Sequence, residues 1–423
     1  MTITIVLTLI FLALLFARVP IGIALLAVGF GGIAAVADFN IAIGILSSTT
    51  YRSVATTTYL AIPLFIFMAS VLAESNIAKE LFRTIGMWIN RLPGGLGIAA
   101  VGASAGFGAL SGSSTAATTV MAKVAVPALR EARYPDRFST GLVATTTGTL
   151  AALIPPSIPL ILYGIQTETP IAQLFIAGIV PGLLIAGLIS AYIFVRGLSI
   201  KSKAEPYSWG QKFRALKDLA APLVLLTILV TVIYFGLATP TEAAAFGAVG
   251  ALVIGAVMRR LTIAKVYRAA VETVLSTSMI FLIVIGANVF SQYVSLSRVG
   301  SDLVSFIGRM DISPLAVIIV IVLMYLMLGL FLDLVGAMLI TLPLVFPLAM
   351  SVGADPVWFG ILVVLVLEIG LVTPPVGMNL FITSQKSGVE VNEVLKGSVP
   401  FILLLLFAVA LLVAFPGIAL ILT

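Results

Sequence analysis

The sequence predicts an all-α polytopic membrane protein of two inverted-topology repeats, each with a re-entrant helical hairpin and a proline-broken helix. Three observations predict it. The chain has 423 residues, 61% hydrophobic and only 9% charged, with a mean hydropathy of +1.23. So much apolar sequence with so little charge belongs to a chain whose solvent is lipid. Next, the proline pairs Pro155-Pro156 and Pro374-Pro375 interrupt two apolar stretches. At the same offset Gln166 matches Gln385, Gly178 matches Gly397, Val180 matches Val399 and Pro181 matches Pro400. Identities in register without a gap mark a duplication. The third observation is the placement of the 23 basic residues, taken up below.

Apolar segments run at 2–17, 21–37, 53–73, 97–110, 115–129, 138–165, 171–195, 219–236, 243–258, 274–294, 314–330, 337–350, 357–384 and 398–422. A full span needs ~20 apolar residues. The segments 97–110 and 115–129 are too short alone, and the string GALSGSST that joins them at Gly108–Thr115 carries no charge. This predicts a hairpin over about 97–129 that turns within the membrane. Segments 314–330 and 337–350 form the corresponding hairpin, over about 314–350, meeting around Asp333. The broken helices follow at 138–165 and 357–384. Proline cannot donate to the helix ladder and disfavours helix at the residue before it, so each pair frees backbone groups. Within a bilayer such groups persist only where protein or a watery cavity satisfies them. Paired breaks in duplicated halves point to a secondary transporter with its site at the breaks.

Charge placement supports this layout. With each hairpin returning to the side it left, and every other segment crossing once, all basic residues except Arg52, Arg298 and Arg309 share one face. That is the asymmetry expected of cytoplasmic loops. Lys123, Arg130, Arg133 and Arg137 follow the first hairpin, whereas nothing basic follows the second near 342–356. The halves therefore face opposite ways, the first over 1–195 and the second over 218–423. Between them, 196–217 carries Trp209 and six basic residues against Glu205. It reads either as an amphipathic connector at anionic headgroups or as a solvated loop.

Composition also excludes chemistry. With no cysteine and no histidine there is no disulfide, thiolate nucleophile, Ser-His-Asp triad or HExxH zinc site. The net charge of +6 is dispersed among loops, which argues against nucleic acid. The first apolar stretch lacks a basic leader and a small-residue cleavage site, so it is expected to be a retained helix.

Four strings carry a resemblance: AIPLFIFM at Ala61–Met68, SGSSTA at Ser111–Ala116, GTLAALIPPSIPLILYG at Gly148–Gly164 and TPPVGMNLF at Thr373–Phe381. Through them, and over essentially its whole length, the chain resembles the large membrane (M) subunit of tripartite ATP-independent periplasmic (TRAP) transporters, the DctM-like family. The resemblance implies a sodium-driven, elevator-type importer in the bacterial or archaeal inner membrane. It implies an organic acid such as a sugar acid or C4-dicarboxylate, handed over by a soluble periplasmic binding protein. A small four-helix membrane subunit completes such systems, and here it is expected as a separate polypeptide.

Candidate residues follow from these motifs. Sodium is the expected co-transported ion, and hydroxyl and carbonyl oxygens suit a small hard cation. Ser111, Gly112 and Ser113 at the first tip, and Thr373, Gly377 and Met378 at the second break, are the expected sodium ligands, with Asn288 and Asp333. Ser113, Ser114, Thr115, Ser157 and Asn379 are expected near the substrate, with Arg52 receiving a carboxylate bidentately. Thr145, Thr147 and Thr149 precede the first break. Close packing through small residues is the competing account of the tip, and helix capping that of Asp333. Glu368 fits an ion ligand or an ion pair, and Asn288 equally a packing role. Arg298, Arg309, Asp302 and Asp311 are candidates for docking the binding protein. A stand-alone sodium/carboxylate symporter is the alternative. An intramembrane hydrolase lacks a lysine or second aspartate beside its nucleophile, and a channel would show unsaturable flux.

Overall fold

The computed structural model describes residues 2–198, 207–310 and 312–423, and every regular element among them is helical. The first half contains α1 (Thr2–Phe16), α2 (Ile21–Val36), α3 (Phe39–Ala55), α4 (Ala61–Glu74), α5 (Ile77–Ile89), α6 (Gly95–Ser111), α7 (Ser114–Glu131), α8 (Asp136–Leu153), α9 (Ile158–Thr167) and α10 (Ile171–Gly197). The second contains α11 (Trp209–Tyr234), α12 (Pro240–Val257), α13 (Ile263–Ser297), α14 (Val299–Gly308), α15 (Pro314–Gly329), α16 (Leu334–Ser351), α17 (Pro356–Gly370), α18 (Met378–Ser387), α19 (Val391–Ala414) and α20 (Gly417–Leu420).

From α5 onward the halves correspond element by element: α5 with α14, the hairpin α6–α7 with α15–α16, the broken helix α8–α9 with α17–α18, and α10 with α19. The expected hairpins and breaks are therefore all present. Six helices among the described residues are long and apolar enough to cross a membrane, or up to eight if each bent pair is one span. The first broken helix bends by 43° at its prolines.

Three helices, α3, α5 and α14, lie mostly or wholly outside the apolar segments of the sequence. Each mixes apolar with polar or charged residues, so none forms an uninterrupted apolar run. In α3, the hydroxyls of Thr50 and Thr56 satisfy themselves by donating to the carbonyls of Leu46 and Arg52, both at 2.7 Å. Asp38 caps its start by accepting from the amide of Asn40 at 2.7 Å. Arg52 consequently sits in the last turn of α3.

The connector differs as well. Trp209, Lys212, Arg214 and Lys217 already belong to α11, and Arg196 to the last turn of α10; Lys201, Lys203 and Glu205 lie outside the described residues. The Lys212 ammonium is buried between two indoles, 5.7 Å from the Trp88 ring centre and 5.2 Å from that of Trp209. Such cation–π contacts anchor the start of α11 on α5.

The core is built on the first halves of the broken helices. α8 is buried without interruption from Ser139 to Leu153, and α17 from Val357 to Gly370. A helix apolar around its whole circumference, as α17 is, has to be enclosed on all sides. The repeat-related Gly178 and Gly397 let α10 and α19 press onto α8. A Cβ on the first would collide with the carbonyl of Leu153, and on the second with that of Arg137. Away from this core, α13 crosses α2 at similarly close range. A Cβ on Gly22 would lie 2.7 Å from the Leu282 backbone, and one on Gly29 2.7 Å from the Phe290 amide nitrogen. Small residues at such crossings let backbones approach where lipid supplies no hydrophobic drive.

Candidate ion and substrate site

The two hairpin tips and the two breaks meet pairwise. In the first repeat the amide of Ile158, just past Pro155-Pro156, donates to the carbonyl of Gly112 at 3.0 Å. In the second, the amide of Val376, just past Pro374-Pro375, donates to the carbonyl of Leu330 at 3.0 Å. Both proline pairs carry a cis peptide bond. Each tip thus satisfies part of the backbone that its partner break exposes, which is the requirement set by low-dielectric surroundings.

The first tip draws together Ser111, Gly112, Ser113 and Ser157. Gly112 has φ +61°, and a Cβ there would lie 2.6 Å from the carbonyl oxygen of Pro156. Only glycine fits both the conformation and the approach. Ser111 Oγ points along the tip, 3.4 Å from the carbonyl of Ser113. Ser113 caps α7, accepting from the amide of Ala116 at 3.5 Å. Ser157 is fully buried; its hydroxyl donates to the carbonyl of Ala152 and accepts from the amide of Leu160 at 3.3 Å. It therefore repairs the break itself. Thr115 is half-buried in the first turn of α7.

The second tip carries Asp333, and the second break carries Thr373, Gly377 and Met378. Asp333 caps α16 as Ser113 caps α7, accepting from the amide of Gly336 at 3.1 Å. The capping role weighed for it from sequence is thus present, and no ion pair holds its charge among the described residues. Thr373 returns its hydroxyl to the carbonyl of Ile369 at 2.7 Å, and Gly377 takes φ +46° before α18 begins at Met378. Pro374, Pro375 and Val376 are exposed, whereas Pro155 and Pro156 are buried. The two breaks are alike in backbone and unlike in access.

Arg52 lies apart from both tips, on a polar cavity of about 510 Å³. α3 contributes Arg52 and Ser53, α13 contributes Asn288 and Gln292, and the C-terminal end of α9 contributes Gln166. The Asn288 amide donates to Ser53 Oγ at 2.9 Å, so Asn288 sits in this cavity and not at a hairpin tip. Arg52 forms no ion pair among the described residues. A guanidinium without a carboxylate partner in a polar cavity of this size is suited to a small anion. The register match of Gln166 to Gln385 is its signal in the sequence. Gln292 and Tyr59, also on the cavity, gave none.

Ser114 and Asn379 do not line that cavity. They are buried beside Glu368: Ser114 Oγ donates to Glu368 Oε2 at 2.9 Å and accepts from Asn379 Nδ2 at 3.0 Å. Among the described residues Glu368 is in no ion pair. Of the threonines before the first break, Thr147 shares a hydrogen bond with Ser104 at 2.8 Å and Thr149 donates to the carbonyl of Thr145 at 2.8 Å. On the far side, Asp302 and Arg309 are exposed on α14 and its C-terminal end, Arg298 is exposed where α13 meets α14, and Asp311 lies outside the described residues.

Over residues 8–418 the chain matches the family described as Tripartite ATP-independent periplasmic transporter, DctM component. It is 36% identical over 363 residues to the ectoine/5-hydroxyectoine TRAP transporter large permease protein UehC of Ruegeria pomeroyi, covering 85% of each chain. Identity to the C4-dicarboxylate TRAP transporter large permease protein DctM of Pseudomonas aeruginosa is 34% over 365 residues, 86% of this chain and 85% of the relative. Identity to the sialic acid TRAP transporter large permease protein SiaM of Vibrio cholerae is 32% over 416 residues, 97% and 96% of the two chains. Among solved structures, the YdaH transporter of Alcanivorax borkumensis superposes with a TM-score of 0.63 at 17% identity, covering 90% of this chain and 89% of that one. MtrF of Neisseria gonorrhoeae gives a TM-score of 0.55 at 14% identity, covering 90% and 84%. At these identities the structural likeness is one of fold alone.

Proposed function

The chain belongs to the DctM component family of tripartite ATP-independent periplasmic transporters, and we propose that it imports an organic acid together with sodium. It is a multi-pass transporter subunit and not an enzyme. In the proposed reaction a periplasmic binding protein delivers the acid, a separate small membrane subunit completes the complex, and the inner membrane is its place. The hairpins and broken helices move as one body against the remaining helices, in an elevator motion. The division into repeats at 1–195 and 218–423, with a connector at 196–217, belongs to the same proposal.

The observation that carries the reading is the doubled contact of tip and break, Ile158 with Gly112 and Val376 with Leu330. Each contact sets carbonyls, hydroxyls and a helix start at one point, as discontinuous-helix ion sites require. Sodium bound at Ser111, Gly112 and Ser113, and at Thr373, Gly377 and Met378 near Asp333, orders the tips before the substrate is taken. The Arg52 cavity supports a carboxylate cargo, the group shared by ectoine, C4-dicarboxylates and sialic acid, for which the relatives are named.

The test is uptake of labelled organic acids into proteoliposomes holding this chain and its small membrane subunit. Uptake that requires both an inward sodium gradient and the soluble binding protein is expected. Uptake without the soluble protein would replace the reading with a stand-alone symporter, and uptake indifferent to sodium would end the ion assignments.

A further inference from the structure

We propose that the buried space between α7, α8, α17 and α18 is an additional monovalent-cation site, with Glu368 as its charged ligand. The inference rests on the sodium-coupled reading above and adds a site away from the tip ligands.

Glu368 is fully buried, yet among the described residues Oε1 has no partner and Oε2 meets only Ser114 Oγ. No arginine or lysine pairs with it among the described residues. A carboxylate without a counter-charge is costly at membrane depth and marks a functional site by default. Asn379, which closes the chain of hydrogen bonds through Ser114, leaves its own Oδ1 unpartnered. α8 meets these groups with bare backbone, since a Cβ on Gly148 would lie 3.0 Å from Glu368 Oε2 and collide with Ser114 Oγ and Asn379 Nδ2.

Among the described residues the buried hydroxyls of Thr118, Thr145 and Thr383 are likewise without partners. Their positions are related. Thr118 lies one turn beyond Ser114 in α7, Thr383 one turn beyond Asn379 in α18, and Thr145 one turn before Gly148 in α8. Residues three or four apart share a helix face. The direction of each helix is fixed by contacts at the far end. Arg130 of α7 donates to the carbonyl of Ser387 at the end of α18 at 3.5 Å, and pairs with Asp136 at the start of α8 at 2.7 Å. α7 and α18 therefore run parallel, and α8 runs against them. All three threonines are displaced toward the Arg130 end, directly behind the Ser114–Glu368–Asn379 chain.

The four helices thus bring a carboxylate, an amide carbonyl and three hydroxyls, all hard oxygen donors, to one buried polar cluster. Buried polar atoms are seldom left unpartnered, and a cluster of them calls for an ion or water. One carboxylate balances one monovalent cation. No group of three acidic, histidine or cysteine residues that would hold a multivalent metal exists among the described residues. Because Ser114 follows the first tip and Asn379 follows the second break, an ion here ties the two from behind. Sodium is the ion that the proposed coupling supplies.

Equilibrium binding of radioactive sodium and the sodium dependence of uptake, both on the chain reconstituted with its small subunit, test the site. Glu368→Gln is expected to bind one sodium ion fewer than the wild type and to need about tenfold more sodium for half-maximal uptake, equivalent to ~1.4 kcal/mol. Should that variant fail to assemble, the double change Thr118→Val and Thr383→Val gives the same readout. A Gln variant, or that double variant in its place, that binds sodium as the wild type does would show a cluster holding water only and overturn the site. If wild-type uptake is itself indifferent to sodium, the coupling falls and this site with it. Sodium-driven uptake unaffected by the changes overturns this site alone.

Discussion

The amide of Ile158 donates to the carbonyl of Gly112 at 3.0 Å, joining the first proline break to the first hairpin tip. The contact recurs between Val376 and Leu330, so the duplication preserves a tertiary interaction and not merely a pattern of residues. Its dependence on close backbone approach makes it testable.

Gly112→Ala places a Cβ 2.6 Å from the Pro156 carbonyl in a left-handed conformation. The conformation alone costs ~1–2 kcal/mol, and the carbonyl cannot retreat without opening the break. Sodium-driven uptake is expected to fall at least about tenfold, with the protein still extractable as a monodisperse species. Uptake assays beside size-exclusion chromatography check this.

Asp333→Asn separates two roles that the structure superimposes. Asparagine caps a helix as well as aspartate does, so thermal stability is expected to stay within experimental scatter. If the lost charge is an ion ligand, the sodium concentration for half-maximal uptake rises several-fold. An unchanged sodium dependence would leave Asp333 as a cap and nothing more.

Arg52→Gln removes the guanidinium from the polar cavity and leaves Asn288 and Ser53 hydrogen-bonded to each other. A charge-assisted hydrogen bond contributes roughly 1.5–3 kcal/mol. The KM for the acid is therefore expected to rise by about tenfold or more, with the maximal rate much less affected. A fall in maximal rate at constant KM would place Arg52 outside substrate binding.

Gly397→Ala brings a methyl group against the Arg137 carbonyl where α19 crosses α8. Backbone cannot yield as a side chain can, and overpacking of this kind costs typically ~1–3 kcal/mol. A lower thermal unfolding midpoint is expected from fluorescence scanning. Gly187→Ala, on the same helix as Gly178 but with open space around its Cβ, is the control and is expected to leave the midpoint unchanged.

Much of the fold was legible because lipid imposes simple demands. The hairpins and the broken helices showed through short apolar segments, the uncharged Gly-Ser turn of the first tip and the paired prolines, which lie where backbone must be satisfied by its surroundings. α3, α5 and α14 were not legible as helices. α3 owes its form to the Asp38 cap and to hydroxyls bonded back onto its own turns, and in all three, polar residues interrupt any apolar run. Among the site residues, Ser111, Gly112, Ser113 and Ser157 are brought together as the motifs suggested. Asn288 is instead seated with Arg52, because its partner Ser53 is supplied by α3, a helix the sequence did not announce.

By itself the sequence determined that this is a duplicated, all-helical membrane chain with a discontinuity in each half. Hydropathy, proline chemistry and the placement of basic residues are local properties that act position by position. Only the tertiary structure decided which polar atoms meet in the core. Ser114 and Glu368 stand 254 positions apart and touch, and nothing in the neighbourhood of either residue foretells the other. Helix crossing, set by glycines that allow backbones within contact distance, makes that pairing, and with it the charge that has to be balanced inside the core.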